Sequence, residues 1–251
     1  MKYNPYSASA LALFEQCPRK FKFYKIDKVK VPWIRTDPLV RGEIVHLLLE
    51  HYDKDINFQI KEIKNLQKKD TAITSDLVKE SFHIYRKFRN TDLGKELLSY
   101  KPLGREMKIA LKIQGKELIP CDYRDKDTIF RGMIDAIFVN TETDEVFIID
   151  WKTGKDKSEG DYKQAPDQLL YYASWYFTNF PVDKISIMYV FVEHENKYLK
   201  YDLSRDRLSY YNKMLLTNIA KCEREKDFEK VESQLCDWCE YQDLCITEKE
   251  E

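Results

Sequence analysis

Residues 128–155 read Thr-Ile-Phe-Arg-Gly-Met-Ile-Asp-Ala-Ile-Phe-Val-Asn-Thr-Glu-Thr-Asp-Glu-Val-Phe-Ile-Ile-Asp-Trp-Lys-Thr-Gly-Lys, two apolar runs about a polar turn. This pattern predicts a β-hairpin with buried strands. Each strand nevertheless carries an acid, Asp135 in the first and Asp150 near the end of the second. Lys152 follows Asp150 by two positions, so both side chains leave one strand face. Three charges on one hairpin are costly to bury unless they bind something or neutralise one another. Two hard oxygen donors beside a lysine suit a magnesium or manganese ion and a phosphodiester; a structural ion network is the plainer alternative.

A chain of 251 residues accommodates one large domain or two small ones. Charged residues at 34% and hydrophobic ones at 43% are proportions of a globular protein rather than a membrane or disordered one. No apolar stretch is long enough to cross a bilayer, and the N-terminal Met-Lys-Tyr-Asn-Pro-Tyr-Ser lacks the apolar core of a secretory signal. A cytoplasmic location and no membrane partner are expected. A net charge of -1 speaks against indiscriminate coating of nucleic acid. Charge is uneven, however: from Arg19 and Lys20 to Arg41, basic residues alternate with Phe21, Phe23, Tyr24 and Trp33. Such a segment can track a phosphate backbone and stack bases, or it can be a solvated face over core aromatics.

Helix signals open at Ser7, an N-cap type, and run to Cys17 before Pro18. A second helix is expected from Arg41 to about Tyr52, and two more over residues 53–100 with a break near Asp70–Ser75. Glu106–Ile113 alternates like a strand, Gln114-Gly115 turns, and Glu117–Ile119 pairs back. After the hairpin come a helix over Gln164–Phe177, a strand over Ile185–Val192 whose unbroken apolar run implies burial on both faces, a partner strand at Tyr198–Leu203, and a long amphipathic helix over Arg205–Phe228.

Six cysteines in a reducing compartment are not expected to form structural disulfides. Cys236-x-x-Cys239 gives two thiolates on one turn, and Cys245 returns after five residues. A tetrahedral or cubane site needs a fourth, for which Cys17 is the candidate, so a bound metal would clip the two ends of the chain together. Cys121 and Cys222 read as packing residues. His46 lies on an apolar helix, where a lone histidine is usually a satisfied core residue. His51, His83 and His194 read as surface residues. Gln168 and Tyr172, four apart, share a helix face; an aromatic core stripe explains the tyrosine and not the glutamine.

Gly132-Met-Ile-Asp135 followed by Asp150-Trp-Lys152 resembles the G-x-x-D … D-x-K core of the PD-(D/E)XK nucleases, in particular their RecB-like branch. Gly42-Glu-Ile-Val-His46 before the hairpin and Gln168-Leu-Leu-Tyr-Tyr172 after it stand in the order that branch uses. Cys17, Cys236, Cys239 and Cys245 are similar to the iron–sulfur subset of the AddB and CRISPR spacer-acquisition type. The resemblance runs from about Ser7 to Cys245.

The resemblance implies an α/β, restriction-endonuclease-like core, a mixed central sheet flanked by helices. Residues 1–251 would be a single nuclease domain with a helical cap insertion at 53–101, and Cys17 with 229–246 would form the cluster region joining the termini. It implies a Mg2+- or Mn2+-dependent deoxyribonuclease, an exonuclease working on single strands or duplex ends in recombination, repair or CRISPR adaptation, phage-borne versions included. His46, Asp135, Asp150 and the Trp151 carbonyl would hold the cation. Asp135, Asp150, Lys152 and Gln168 would be catalytic, and Gln168, Tyr172, Arg19 and Lys20 would touch DNA. Glu106 matches an acidic position that either ligates the cation or forms a salt bridge. A [4Fe-4S] cluster is the family's use of the four cysteines, zinc the alternative. The competing function is a catalytically weak DNA-binding or docking module of a recombination complex; a homo-oligomer and recombination or CRISPR partner proteins stay open.

Overall fold

The computed structural model of the chain describes residues 5–32, 35–154 and 165–247. The two acid-bearing runs form β3 (Thr128–Asn140) and β4 (Glu145–Lys152), antiparallel, with Ala136 opposite Ile149. That register carries Asp135 to the level of Asp150. The other strands are β1 (Lys101–Gln114), β2 (Glu117–Pro120), β5 (Lys184–Phe191) and β6 (Tyr198–Ser204). Together they make one six-stranded mixed sheet in the order β2-β1-β3-β4-β5-β6. The β4–β5 pair is parallel, whereas β1–β2, β3–β4 and β5–β6 are antiparallel. A parallel pair needs a crossover, and α7 (Asp167–Asn179) lies on it.

The remaining helices are α1 (Ala8–Gln16), the short α2 (Pro18–Phe21) running into a π turn at Lys22–Ile26, α3 (Asp37–Glu50), α4 (Ile56–Gln67), α5 (Ser75–Asn90), α6 (Asp92–Ser99), α8 (Leu208–Arg224) and α9 (Gln242–Thr247). Ser7 caps α1 by accepting the Ala10 N–H at 3.2 Å, as its sequence signal predicts. Two expectations need correction. The helix bearing His46 starts at Asp37 rather than Arg41, because Pro38 sits in the first turn, where its missing N–H costs nothing. Residues 53–100 hold three helices rather than two. Thr91, extended, accepts the Gly94 N–H at 3.0 Å and restarts the chain as α6 immediately after α5. Trp33 and the Gln164 start of the predicted α7 lie outside the described residues.

Two compact units make up the chain: Met1–Ile34, Ile109–Gly132 and Ser209–Glu251 in one, Arg35–Lys108 and Met133–Leu208 in the other. In the second, Ile44, Val45 and Leu48 of α3, Leu77, Tyr85 and Phe88 of α5, and Leu93 and Leu97 of α6 bury against Phe138, Ile149 and Trp151 of the hairpin. The Trp151 indole meets Phe88 and Phe138 edge-on, with centroids 5.6 and 6.5 Å apart. Anchoring that side chain in the core turns the neighbouring Asp150 and Lys152 to the opposite face of β4. In the first unit, Phe21 stacks between Tyr6 and Phe228 at 6.4 and 6.5 Å, and Phe14 meets it edge-on at 5.3 Å. Phe21 and Phe23 are therefore core residues, while Tyr24 remains 55% exposed.

Candidate active site and cysteine cavity

The hairpin brings two acids together in a nearly dry place. Asp150 is 4% exposed, and the Asp135 side chain 13%. The Asp135 carboxylate accepts the Trp151 N–H at 2.7 Å. Burial, then the charge of Asp150, pushes its pKa up to about 7. Burial likewise raises that of Asp150, against the pull of Lys152. Lys152 sets its ammonium 2.5 Å from Asp150 Oδ2 and 4.3 Å from the centre of the Tyr189 ring.

His46 reaches this point from α3 because of Gly42, one turn earlier on the same face. A Cβ on Gly42 would lie 2.7 Å from the Thr153 hydroxyl, so glycine lets the helix lie against the chain leaving β4. The His46 Nε2 is 3.0 Å from the Trp151 carbonyl, which can only accept, so this nitrogen carries hydrogen. The other nitrogen, Nδ1, faces Asp135 at 3.5 Å and Glu106 at 3.9 Å. Burial alone would lower the imidazole pKa; Glu106, Asp135 and Asp150 outweigh it and raise the value above the ordinary 6.5.

Glu106 sits in the left-handed region with φ 45°, inside a strand. A non-glycine residue there is uncommon and strained. His46, Glu106 and Asp135 offer ligand atoms all within 4.8 Å of one another. From α7, Gln168 donates to Asp150 Oδ1 at 2.8 Å and to the Tyr172 hydroxyl at 2.9 Å, and accepts from the Tyr189 hydroxyl at 3.1 Å. Tyr172 is held protonated by burial.

The sequence pattern of the PD-(D/E)XK nuclease superfamily matches residues 5–246. The chain belongs to the PD-(D/E)XK nuclease superfamily. Its relatives include an ATP-dependent helicase/nuclease subunit from Clostridium botulinum (strain Kyoto / Type A2), 24% identical over 201 residues, which are 76% of this chain and 15% of that protein. The subunit of the same description from Acetivibrio thermocellus is 30% identical over 149 residues, 53% of this chain and 11% of that protein. The chain thus spans a small fraction of the length of the curated relatives it matches. A solved exonuclease candidate from Eubacterium rectale shares the fold with a TM-score of 0.57 at 12% identity, over 95% of this chain and 88% of that one.

In this PD-(D/E)XK protein the G-x-x-D acid, the D-x-K pair, the histidine, the glutamine and Glu106 lie together in one unit. Tyr189 joins them unannounced. Its place beside Asp150 follows from the parallel β4–β5 register, and in the sequence it is one more member of an apolar run. His194 is not the surface residue expected of it. Its Nε2 is 2.8 Å from the Gly154 carbonyl, while Glu193 accepts the Gly154 N–H at 3.0 Å, so both backbone groups of Gly154 are held two residues beyond Lys152. His51 is also half-buried, edge-on to Phe58 at 5.0 Å.

The other unit holds the cysteines. Cys17, Cys236, Cys239 and Cys245 line one cavity of about 290 Å³. None of them is in a disulfide. Burial raises the Cys239 pKa, with Cys17 adding to the effect. Arg19 and Lys20 border the same cavity and are engaged locally: Arg19 donates to the Phe228 carbonyl at 2.9 Å, and Lys20 pairs with Glu240 at 2.7 Å. Cys222 lies apart, fully buried on α8, its thiol pushed up to about 12 by burial. No helix among the described residues is long and apolar enough to cross a membrane.

Proposed function

We propose that this protein is a divalent-cation-dependent DNA exonuclease, cutting phosphodiester bonds from DNA ends in recombination, repair or CRISPR adaptation. The observation that carries the reading is the convergence of His46, Glu106, Asp135, Asp150 and the Trp151 carbonyl beside an ammonium. Buried carboxylates lifted toward protonation are what a dication relieves, and a neutral His46 that donates Nε2–H to Trp151 leaves Nδ1 free as a ligand. Asp135, Asp150, Glu106, His46 and the Trp151 carbonyl would hold Mg2+ or Mn2+. Such an ion supplies Lewis acidity toward a phosphate oxygen and a water more easily deprotonated.

The chain's own groups do the positioning. Lys152, steadied by Asp150 and the Tyr189 ring, places a positive charge where negative charge develops on the phosphoryl oxygens. Gln168 fixes the far oxygen of Asp150, and the Trp151 N–H fixes one oxygen of Asp135, so both acids are aimed before substrate arrives.

The four cysteines would hold a [4Fe-4S] cluster. What supports this reading is that all four line one cavity and none is in a disulfide; zinc is the alternative. Of the cations around the cavity, Lys20 favours the Cys239 thiolate, against the effect of burial. A role as a docking module of a larger assembly is the second reading, favoured by the small share of the helicase/nuclease relatives that the chain spans.

The test is anaerobic purification, a visible spectrum, and incubation with end-labelled single- and double-stranded DNA plus manganese, with Lys152→Ala and Asp150→Ala alongside. Sulfur-to-iron absorbance and cation-dependent loss of ended DNA that both variants abolish is the expected result. Variants that still degrade DNA sink the catalytic assignment. A brown protein that binds DNA and never cuts transfers the reading to the docking module.

A further inference from the structure

A second feature of the catalytic unit has the chemistry of a nucleic-acid track. A groove of about 570 Å³ between α4, α5 and the start of α6 is lined by Lys54, Arg86, Arg89 and Lys95, with Phe82 and Tyr85 beneath. No carboxylate is among its described lining residues. The chain as a whole balances 42 basic against 43 acidic residues, so such segregation is local and specific.

The nearest acids compensate weakly. Asp53 lies 3.9 Å from Lys54 but is held by Arg105 at 2.8 and 3.0 Å. Asp92 lies 4.0 Å from Lys95 and is 94% exposed. Two of the arginines are held beside aromatic rings. Arg86 lies 5.7 Å over the Phe82 ring and Arg89 5.4 Å over that of Tyr85. Both Arg89 and Gln59 donate to the Tyr85 hydroxyl at 3.0 Å, and Gln59 also donates to the His51 carbonyl at 2.8 Å. Cations along a groove with aromatic rings close by suit a single strand, the charges for its phosphates and the guanidinium and aromatic groups for its bases. The groove also begins close to the catalytic cluster along the chain. His46 and Lys54 are joined by the end of α3 and one turn, which places their Cα atoms no more than about 20 Å apart.

We infer that this groove binds the backbone of single-stranded DNA and holds the strand on its way to or from the catalytic cluster. The inference rests on the nuclease reading above for its substrate. It makes binding depend on strand length: as the separation is at most about 20 Å, strands longer than about six nucleotides, at roughly 3.4 Å per step, reach both cluster and groove.

The experiment reverses charge at Arg86→Glu with Lys95→Glu, both exposed, and uses Arg86→Gln with Lys95→Gln as a milder pair. Circular dichroism checks the fold. Binding of long and short oligothymidylate and of duplex is followed by fluorescence anisotropy across a salt series, in protein that also carries Asp150→Ala so that no strand is cut. Cleavage of short and long strands is followed without Asp150→Ala. Expected is an affinity for long strands at least about tenfold weaker in the reversed pair, with the slope of log K on log salt flattened by about 1.4, two phosphate contacts at roughly 0.7 each. The milder pair falls between, and short-strand cleavage and duplex binding are unchanged. Long-strand affinity and slope equal to the unmodified protein's overturn the groove, whatever the protein cuts. Equal weakening of duplex overturns the single-strand assignment. An unmodified protein that never cuts, yet loses long-strand binding on charge reversal, sinks the nuclease reading and keeps the groove.

Discussion

Asp150 is gripped at both oxygens, by the Lys152 ammonium on one and the Gln168 amide on the other. In the proposed site Gln168 would act through Asp150, as a positioning residue. Gln168→Leu should lower cation affinity or turnover by about 10–100-fold, the usual cost of losing a ligand's supporting partner. Manganese titrations of the cleavage rate would show it, and an unchanged curve refutes the assignment. Tyr189→Phe removes one neutral hydrogen bond to Gln168 and leaves the ring beside Lys152. Its effect should stay within about fivefold, near 1 kcal/mol. A larger loss would mean that the hydroxyl acts on substrate.

Elements meet the site through two tight junctions. At the α5–α6 corner a Cβ on Gly94 would fall 2.0 Å from the Phe88 carbonyl oxygen, a backbone atom that cannot rotate away. Gly94→Ala should destabilise the protein by about 1–3 kcal/mol, read from a denaturant midpoint. A neutral result would show that the corner relaxes freely. At the other junction Arg105, beside Glu106 on β1, donates to the Glu50 carbonyl at 2.7 Å and pairs with Asp53 just past α3. The Arg105 hydrogen bond depresses the Asp53 pKa below the ordinary 3.8. A depressed acid stabilises the fold above its unfolded pKa, and the contribution fades as pH falls through the folded value. Arg105→Gln should therefore cost about 1 kcal/mol at neutral pH, a figure reduced by the partial exposure of Asp53. Relative to the unmodified protein, the deficit should shrink below about pH 4 as Asp53 protonates. A deficit constant from pH 7 to 3 would assign the loss to packing on Tyr52, whose ring centre is 4.4 Å from the guanidinium.

For the whole molecule, the proposed metal, held by Cys17 together with Cys236, Cys239 and Cys245, would close a loop that takes in most of the chain. Loop-closure entropy for such a length is on the order of 5 kcal/mol, so the metal should be a principal source of stability for its unit. Cys17→Ser should lower bound iron and shift guanidinium unfolding to lower denaturant in anaerobic protein. Cys222→Ser should leave bound iron unchanged, because that thiol is buried on α8 away from the cavity. Equal midpoints for Cys17→Ser and the unmodified protein would remove the stabilising role of the clip.

The chain's pattern alone determined the elements governed by local periodicity and turns. The hairpin, the apolar β5 with its partner β6, the α1 cap at Ser7 and the long α8 all stand where the residues predict, because each is specified by neighbours a few positions away. Acids at Asp135 and Asp150 were conspicuous for the same reason, as charges breaking an apolar period. The α6 start was missed, since the single residue Thr91 separates it from α5 and the two helices read as one. What only the tertiary structure decided concerns pairs distant in sequence. The parallel register that sets Tyr189 beside Asp150, the approach that Gly42 allows between α3 and Thr153, and the capture of Gly154 by Glu193 and His194 depend on which surfaces meet. Glu106 belongs here too: a left-handed residue in a strand is costly by its own preferences, and its conformation was settled by the packing around it.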